Sequence, residues 1–108
     1  MKKPIKRALV IHSLCSVGKA SLTNIMPIMS IRGIEVCPIP SVVLSSHTGG
    51  FQDIAKLDSK NFIKEATKSL DENGIDFDLN FIGYLGTIDK VKDTIEYLKG
   101  EVTGVTIV

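Results

Sequence analysis

At 108 residues, with 44% apolar and 23% charged side chains, the chain has the length of one domain and the composition of a globular protein. Thirteen basic residues against twelve acidic ones leave a formal charge of +1. That balance excludes both the basic surplus of a nucleic-acid binder and the acid excess of a disordered tail. The longest apolar runs fall well short of the roughly 20 residues a membrane helix needs. The apolar run at residues 8–11, behind the basic start, is too short for a signal-peptide core. A cytoplasmic protein with neither membrane nor nucleic acid as partner is expected. Cys15 and Cys37 form no CxxC pair and have no histidine cluster beside them, so they read as reduced thiols and no metal site is expected.

Short apolar stretches alternate with helical patterns along the chain, the signature of a parallel α/β sheet. A first strand is expected over residues 7–12, apolar without alternation, as for a strand covered on both faces. A helix follows over residues 19–32, with Leu22, Ile25, Met26 and Met29 on one face, Pro27 inside it and Gly33 ending it. Pro38 and Pro40 hold residues 34–40 extended, and residues 41–45 form a second short strand. A second helix is predicted over residues 59–73, capped by Asp58 or Ser59, with Phe62, Ile63, Ala66 and Leu70 as its apolar stripe and Gly74 at its end. Residues 77–84 read as the next strand. The third helix starts at the N-cap Thr87, places Ile88, Val91, Ile95 and Leu98 on one side and stops at Gly100. Residues 105–108 begin a further strand. In a doubly wound sheet the functional loops leave the carboxyl ends of the strands, and the chain stops where the next such loop would begin.

Three local patterns bear on chemistry. Ser16-Val-Gly-Lys-Ala20 is not a Walker A motif, because Ser13 stands where the first glycine belongs and Ala20 where a Ser or Thr should follow the lysine. The segment from Ser13 to Lys19 still joins strand to helix, where backbone amides, hydroxyls and an ammonium suit a polar or anionic ligand; an ordinary tight βα turn reads the same way. Ser45-Ser-His-Thr-Gly-Gly50 places six small or polar residues after an apolar strand, on the same sheet edge as Ser13. Its hydroxyls and imidazole can bond a polar ring while the glycines let the backbone approach. It is no catalytic triad, since nothing is placed to orient His47 as a base. Tyr84 closes a strand and serves either as a core ring or as a pocket wall. The acidic residues Asp53, Asp58, Asp71, Asp76 and Asp78 lack calcium-loop spacing.

Taken together, Ile11-His-Ser-Leu-Cys-Ser-Val-Gly-Lys-Ala-Ser-Leu22, Val36-Cys-Pro-Ile-Pro40, Leu44-Ser-Ser-His-Thr-Gly-Gly-Phe51 and Ile82-Gly-Tyr-Leu-Gly-Thr87 resemble the vitamin B6 (pyridoxal/pyridoxamine) kinases of the ribokinase-like superfamily. The resemblance covers nearly the whole chain, and Ser-His-Thr-Gly after a strand is its most specific part. It implies a three-layer, Rossmann-like α/β fold with a mostly parallel sheet flanked by helices, here incomplete. Residues 1–108 would be the amino-terminal portion of a single kinase domain. It also implies substrate-binding roles: Ser13 bonding the pyridine ring, Val17 against the ring face, His47 and Thr48 at the ring substituents, and Tyr84 as a further wall. Lys19 departs from the Asn or Arg common in the family and receives no role.

The activity implied is ATP-dependent phosphorylation of the 5′-hydroxymethyl group of pyridoxal, pyridoxamine or pyridoxine by the complete polypeptide, a homodimer in this family. This chain would supply the vitamer-binding part. ATP and Mg²⁺ would be held elsewhere, because the family's Asp-Pro segment and Gly-x-Gly-Asp element do not occur in these 108 residues. No catalytic residue is expected within them, and the chain alone would be inactive. Two alternatives stand beside this reading: a hydroxymethylpyrimidine kinase of the same superfamily, and a non-catalytic module that keeps the vitamer pocket.

Overall fold

The structure is a computed structural model and describes residues 6–18, 21–46, 52–100 and 104–108. Five strands form one sheet: β1 (Lys6–Val17), β2 (Ile34–Ser46), β3 (Lys56–Asp58), β4 (Leu79–Ile82) and β5 (Val105–Ile107). Three helices accompany them: α1 (Leu22–Ile31), α2 (Phe62–Glu72) and α3 (Ile88–Lys99). The strand order is β3-β2-β1-β4-β5, parallel except for the antiparallel β3 on the edge beside β2.

The central strand explains the layering. Ala8, Leu9, Val10 and Ile11 are all fully buried although successive side chains of a strand point to opposite faces. Leu9 and Ile11 join Ile39, Ile63, Phe77 and Ile82 in one core, closed by Ala66 and Leu70 of α2 and by Tyr97 and Leu98 of α3. Ala8 and Val10 join Leu22 in the other, closed by Ile25, Met26 and Met29 of α1. A run without alternation is what this double coverage selects, as expected from the sequence. The sides occupied by the helices follow from crossover handedness. The chain steps from β1 to β2 in one direction, then from β2 past β1 to β4 and on to β5 in the other. Right-handed crossovers therefore put α1 on one face and both α2 and α3 on the opposite face. The result is the expected three-layer α/β arrangement.

Several boundaries differ from the sequence expectation for identifiable reasons. β1 runs on to Val17, so Ser13 lies within the strand rather than in the following loop. The extended proline segment and the short strand after it form one 13-residue strand, β2. Its prolines are tolerated because β3 pairs only with Val42, Val43 and Leu44, leaving the stretch that holds Pro38 and Pro40 with β1 alone as its described neighbour. Leu22 begins α1, later than expected, because Ser21 turns back with φ 58° to form an isolated bridge to Leu14. Pro27 does lie inside α1. Gly33 and Gly74 follow α1 and α2 with φ 78° and 70°, as glycines after helix ends do. Neither Asp58 nor Ser59 caps α2; Asn61 occupies the cap position without a side-chain bond, and Phe62 is 44% exposed instead of joining the stripe.

α3 departs most from its pattern. Thr87 does cap it, accepting the Lys90 amide at 3.3 Å. Of the four apolar residues expected to face inward, however, only Leu98 packs on the core, while Ile88, Val91 and Ile95 stand open. The inward face is instead Lys90, Thr94 and Tyr97. Each of their polar atoms is matched: the Thr94 hydroxyl donates to the Lys90 carbonyl at 2.8 Å, and the Tyr97 hydroxyl donates to Asn80 Oδ1 at 2.8 Å. Lys90 reaches Asp58 and Ser41. Specific polar partners set the rotation of this helix. No helix among the described residues is long and apolar enough to cross a membrane.

This packing predicts a contrast between two isoleucines. Ile63→Ala empties a fully buried site and should cost about 2–5 kcal/mol in urea or thermal unfolding. Ile95→Ala, on the open side of α3, should cost less than about 1 kcal/mol. Equal losses would contradict the observed rotation of α3.

Candidate functional site

The parallel strands β1, β2 and β4 deliver their carboxyl ends to one edge of the sheet, with Val17 opposite Ser46 and Ile11 opposite Ile82. The chain leaves β1 toward β2 on one side, and β4 lies on the other. The crevice between the ends of β1 and β4 is therefore the topological switch point, where ligands bind in open sheets of this kind.

Ser13 sits at this point and is 3% exposed. Its hydroxyl donates to Ser21 Oγ at 2.7 Å, and its amide donates to His12 Nδ1 at 2.8 Å. This pairing also explains why Ser21, at the N-cap of α1, makes no side-chain cap. The Ser13 hydroxyl keeps acceptor capacity for an incoming donor. Val17 ends β1 with its side chain largely open. Tyr84, half exposed, follows β4 in the loop at residues 83–87, and its carbonyl accepts the Ser41 hydroxyl at 2.5 Å. Ser13, Val17 and Tyr84 thus belong to the same sheet edge. His47 and Thr48, and with them Gly49, Gly50 and Lys19, lie outside the described residues.

His12 is a group at this edge to which the sequence assigned no role. Its ring lies against Phe81, centroids 6.5 Å apart and planes 14° from parallel. It also covers Gly83 so closely that a Cβ there would fall 2.0 Å from the imidazole Cδ2. The Gly83 amide meanwhile donates to the Ile11 carbonyl at 2.7 Å, so the backbone cannot easily withdraw. Because Nδ1 accepts the Ser13 amide, the neutral ring carries its proton on Nε2. Burial lowers the His12 pKa below its ordinary value, favouring that neutral form. The available signal was position: His12 continues the even-numbered face of Ala8 and Val10 just where the strand reaches the crevice.

The arrangement offers hydroxyls, a neutral imidazole and an aromatic wall, suited to a polar ring bound by hydrogen bonds. Two cavities flank other parts of the fold. A shallow depression of about 390 Å³ is lined by residues 83–88 and Val91, on the outer side of the Tyr84 loop. A larger one, about 610 Å³, lies between the carboxyl halves of α2 and α3, at the opposite end of the sheet from Ser13. The larger space lies away from the carboxyl ends of the strands, where Ser13, Val17 and Tyr84 meet. Among the described residues no three His, Cys, Asp or Glu side chains cluster in a group that could hold a metal ion. Cys15 and Cys37 are both free thiols; burial, with the nearby Glu35 carboxylate, raises the Cys37 pKa.

Two outcomes test this geometry. Gly83→Ala should displace the His12 ring and lower the unfolding midpoint, whereas Gly83→Ala combined with His12→Ala should recover much of the loss. His12 should titrate below 6.5 by NMR. Since its folded pKa is depressed, its contribution to stability is present above the unfolded value and is lost as pH falls through the folded one.

No protein-family model matches the chain, nor does any curated protein sequence. Solved structures do. A protein of Bacteroides thetaiotaomicron assigned as a phosphomethylpyrimidine kinase superposes with a TM-score of 0.89 at 27% identity, covering 99% of this chain and 37% of that one. A second crystal form of it, obtained with pyridoxal, gives a TM-score of 0.80 at 30% identity, over 94% of this chain and 36% of that one. Pyridoxal kinase from Lactobacillus plantarum gives a TM-score of 0.89 at 24% identity, over 95% of this chain and 37% of its own. The chain therefore spans a little over a third of the length of these structures. Over that stretch its fold matches the corresponding part of these ribokinase-like pyridoxal and phosphomethylpyrimidine kinase structures.

Proposed function

We propose that the chain forms the vitamer-binding part of an ATP-dependent kinase acting on the 5′-hydroxymethyl group of pyridoxal, pyridoxamine or pyridoxine. The observation that carries this reading is the convergence of Ser13, Tyr84 and Ser46, the residue that ends β2, on the carboxyl edge of β1, β4 and β2. The similar Bacteroides protein has been crystallised with pyridoxal, which supports a ligand of this class. Phosphoryl transfer relies mainly on positioning and electrostatic stabilisation. The residues here serve positioning: Ser13 and Thr48 bond the polar ring and its substituents, Val17 and Tyr84 confine its faces, and His47 meets a ring substituent. The donors that stabilise the transferring phosphoryl group, and the sites for ATP and Mg²⁺, would come from polypeptide other than these residues.

A second reading has specific support. The Bacteroides protein, at 27–30% identity, is assigned to phosphomethylpyrimidine. A hydroxymethylpyrimidine would meet the same edge with a different set of ring donors and acceptors. Calorimetric titration of the chain with pyridoxal and with hydroxymethylpyrimidine separates the two. Tighter binding of the pyrimidine would replace the first reading, and binding of neither would remove both.

Thr48→Val deletes one hydroxyl and should weaken pyridoxal binding by about 0.5–1.5 kcal/mol with an unchanged unfolding midpoint. An unaltered affinity would take Thr48 out of the site. Incubated with ATP, Mg²⁺ and pyridoxal, the 108-residue chain should give no multiple turnovers of pyridoxal phosphate, because removing even one stabilising donor costs roughly 10²–10³ in rate. Sustained turnover by a preparation free of host kinase would show that these residues carry the chemistry themselves.

A further inference from the structure

A lysine is costly to bury, and Lys90 is only 3% exposed. It sits in the first turn of α3, where the helix dipole disfavours a cation, so its position is not explained by the helix itself. Its partners explain it. The ammonium donates to the Ser41 carbonyl at 2.7 Å and pairs with the Asp58 carboxylate. The hydrogen bond from Lys90, joined by the Lys60 amide, lowers the Asp58 pKa.

Ser41 needs such a partner. The register between β1 and β2 slips after His12, which pairs with Pro40, so that Leu14 pairs with Val43 and β2 carries one extra residue. Ser41 has a register partner on neither β1 nor β3. Its carbonyl is met instead by Lys90 Nζ and by the Ser59 hydroxyl at 2.6 Å. Its own hydroxyl, fully buried, donates to the Tyr84 carbonyl at 2.5 Å. A continuous polar chain thus runs from Asp58 on the edge strand through Lys90 and Ser41 to the backbone of Tyr84.

We propose that Lys90 is a positioning residue for the ligand site, fixing the bulged Ser41 so that the Ser41 hydroxyl holds Tyr84 at the switch point. This rests on the reading above that Tyr84 borders the ligand. The site then depends on a side chain that does not touch the ligand.

The experiment compares the unmodified chain with Lys90→Met, Ser41→Ala and the double variant, using pyridoxal titration and amide hydrogen exchange in parallel. Each single change should weaken pyridoxal by about five- to tenfold, as for loss of one ordering hydrogen bond, and the double variant should be no weaker than the worse single one. Exchange at residues 84–87 should quicken in both single variants while β1 stays protected. Folded variants with unchanged affinity and unchanged exchange at residues 84–87 would overturn the proposal, as would strictly additive losses. Should Lys90→Met fail to fold, Ser41→Ala alone decides it by the same two readings, and slow exchange at residues 84–87 in that variant refutes it. Should the unmodified chain bind no pyridoxal, the functional reading falls while exchange at residues 84–87 still accepts or rejects the positioning role.

Discussion

The structure depends on the complete enclosure of β1. A strand paired on both sides and covered on both faces admits no solvent at Ala8, Leu9, Val10 or Ile11, so each side chain must be matched by a different layer. At these four residues the two faces feed two separate cores, and the helices must divide between them. Burial also fixes register, because a slip of one residue would exchange the residues feeding the two cores. The site inherits its place from this enclosure. Beyond Ile11 the continuous apolar run gives way to His12 and Ser13, which bring polar groups of β1 to the crevice between β1 and β4.

The elements of the fold were largely legible because they obey simple periodicities. A double-faced strand, helices closed by glycines and a Thr cap are local signals, and the structure keeps all of them. What periodicity lacks is information about distant partners. β3 went unforeseen because its three residues are all exposed and carry no apolar pattern; its pairing with β2 is what makes it a strand. The two halves of β2 could not be joined from sequence, since two prolines argue against a strand unless the pairing on each of its sides is known. α3 is the clearest case. Its best apolar stripe is the one that stays open, because Lys90 and Tyr97 find partners at Asp58, Ser41 and Asn80 that lie 17–49 positions away on other elements.

The site divides along the same line. Ser13 and Tyr84 were recognisable as residue types at strand ends and Val17 only through the family resemblance, and the parallel topology brings their strands to one edge. The environment of Ser13 was not recognisable. Its placement inside β1 and its bond to Ser21 depend on a chain reversal at φ 58°, which no propensity announces. His12 was hidden for the opposite reason. A histidine at the end of an apolar run reads as strand, and only the absence of a side chain at Gly83, 71 positions on, leaves room for its ring.

A division of labour between apolar and polar contacts follows. Apolar burial is non-directional and settles which layer an element belongs to, but tolerates rotation and sliding within that layer. Directional bonds settle the rest. Around the switch point the backbone departs from ladder geometry at the Ser41 bulge and in the loop at residues 83–87, so the contacts that hold it cannot be those of regular strands. They are side-chain donors and acceptors: Ser59 and Lys90 on the Ser41 carbonyl, Ser41 on the Tyr84 carbonyl, Ser13 on Ser21. Each is worth little beside a buried leucine, yet each fixes an atom to within a few tenths of an ångström along a defined direction. At the other side of the sheet, β5 has ladder bonds and no buried side chain, so it should open before β1, β2 or β4. Order in this molecule is therefore concentrated at β1 and at the polar end of its crevice, where a ligand site requires it.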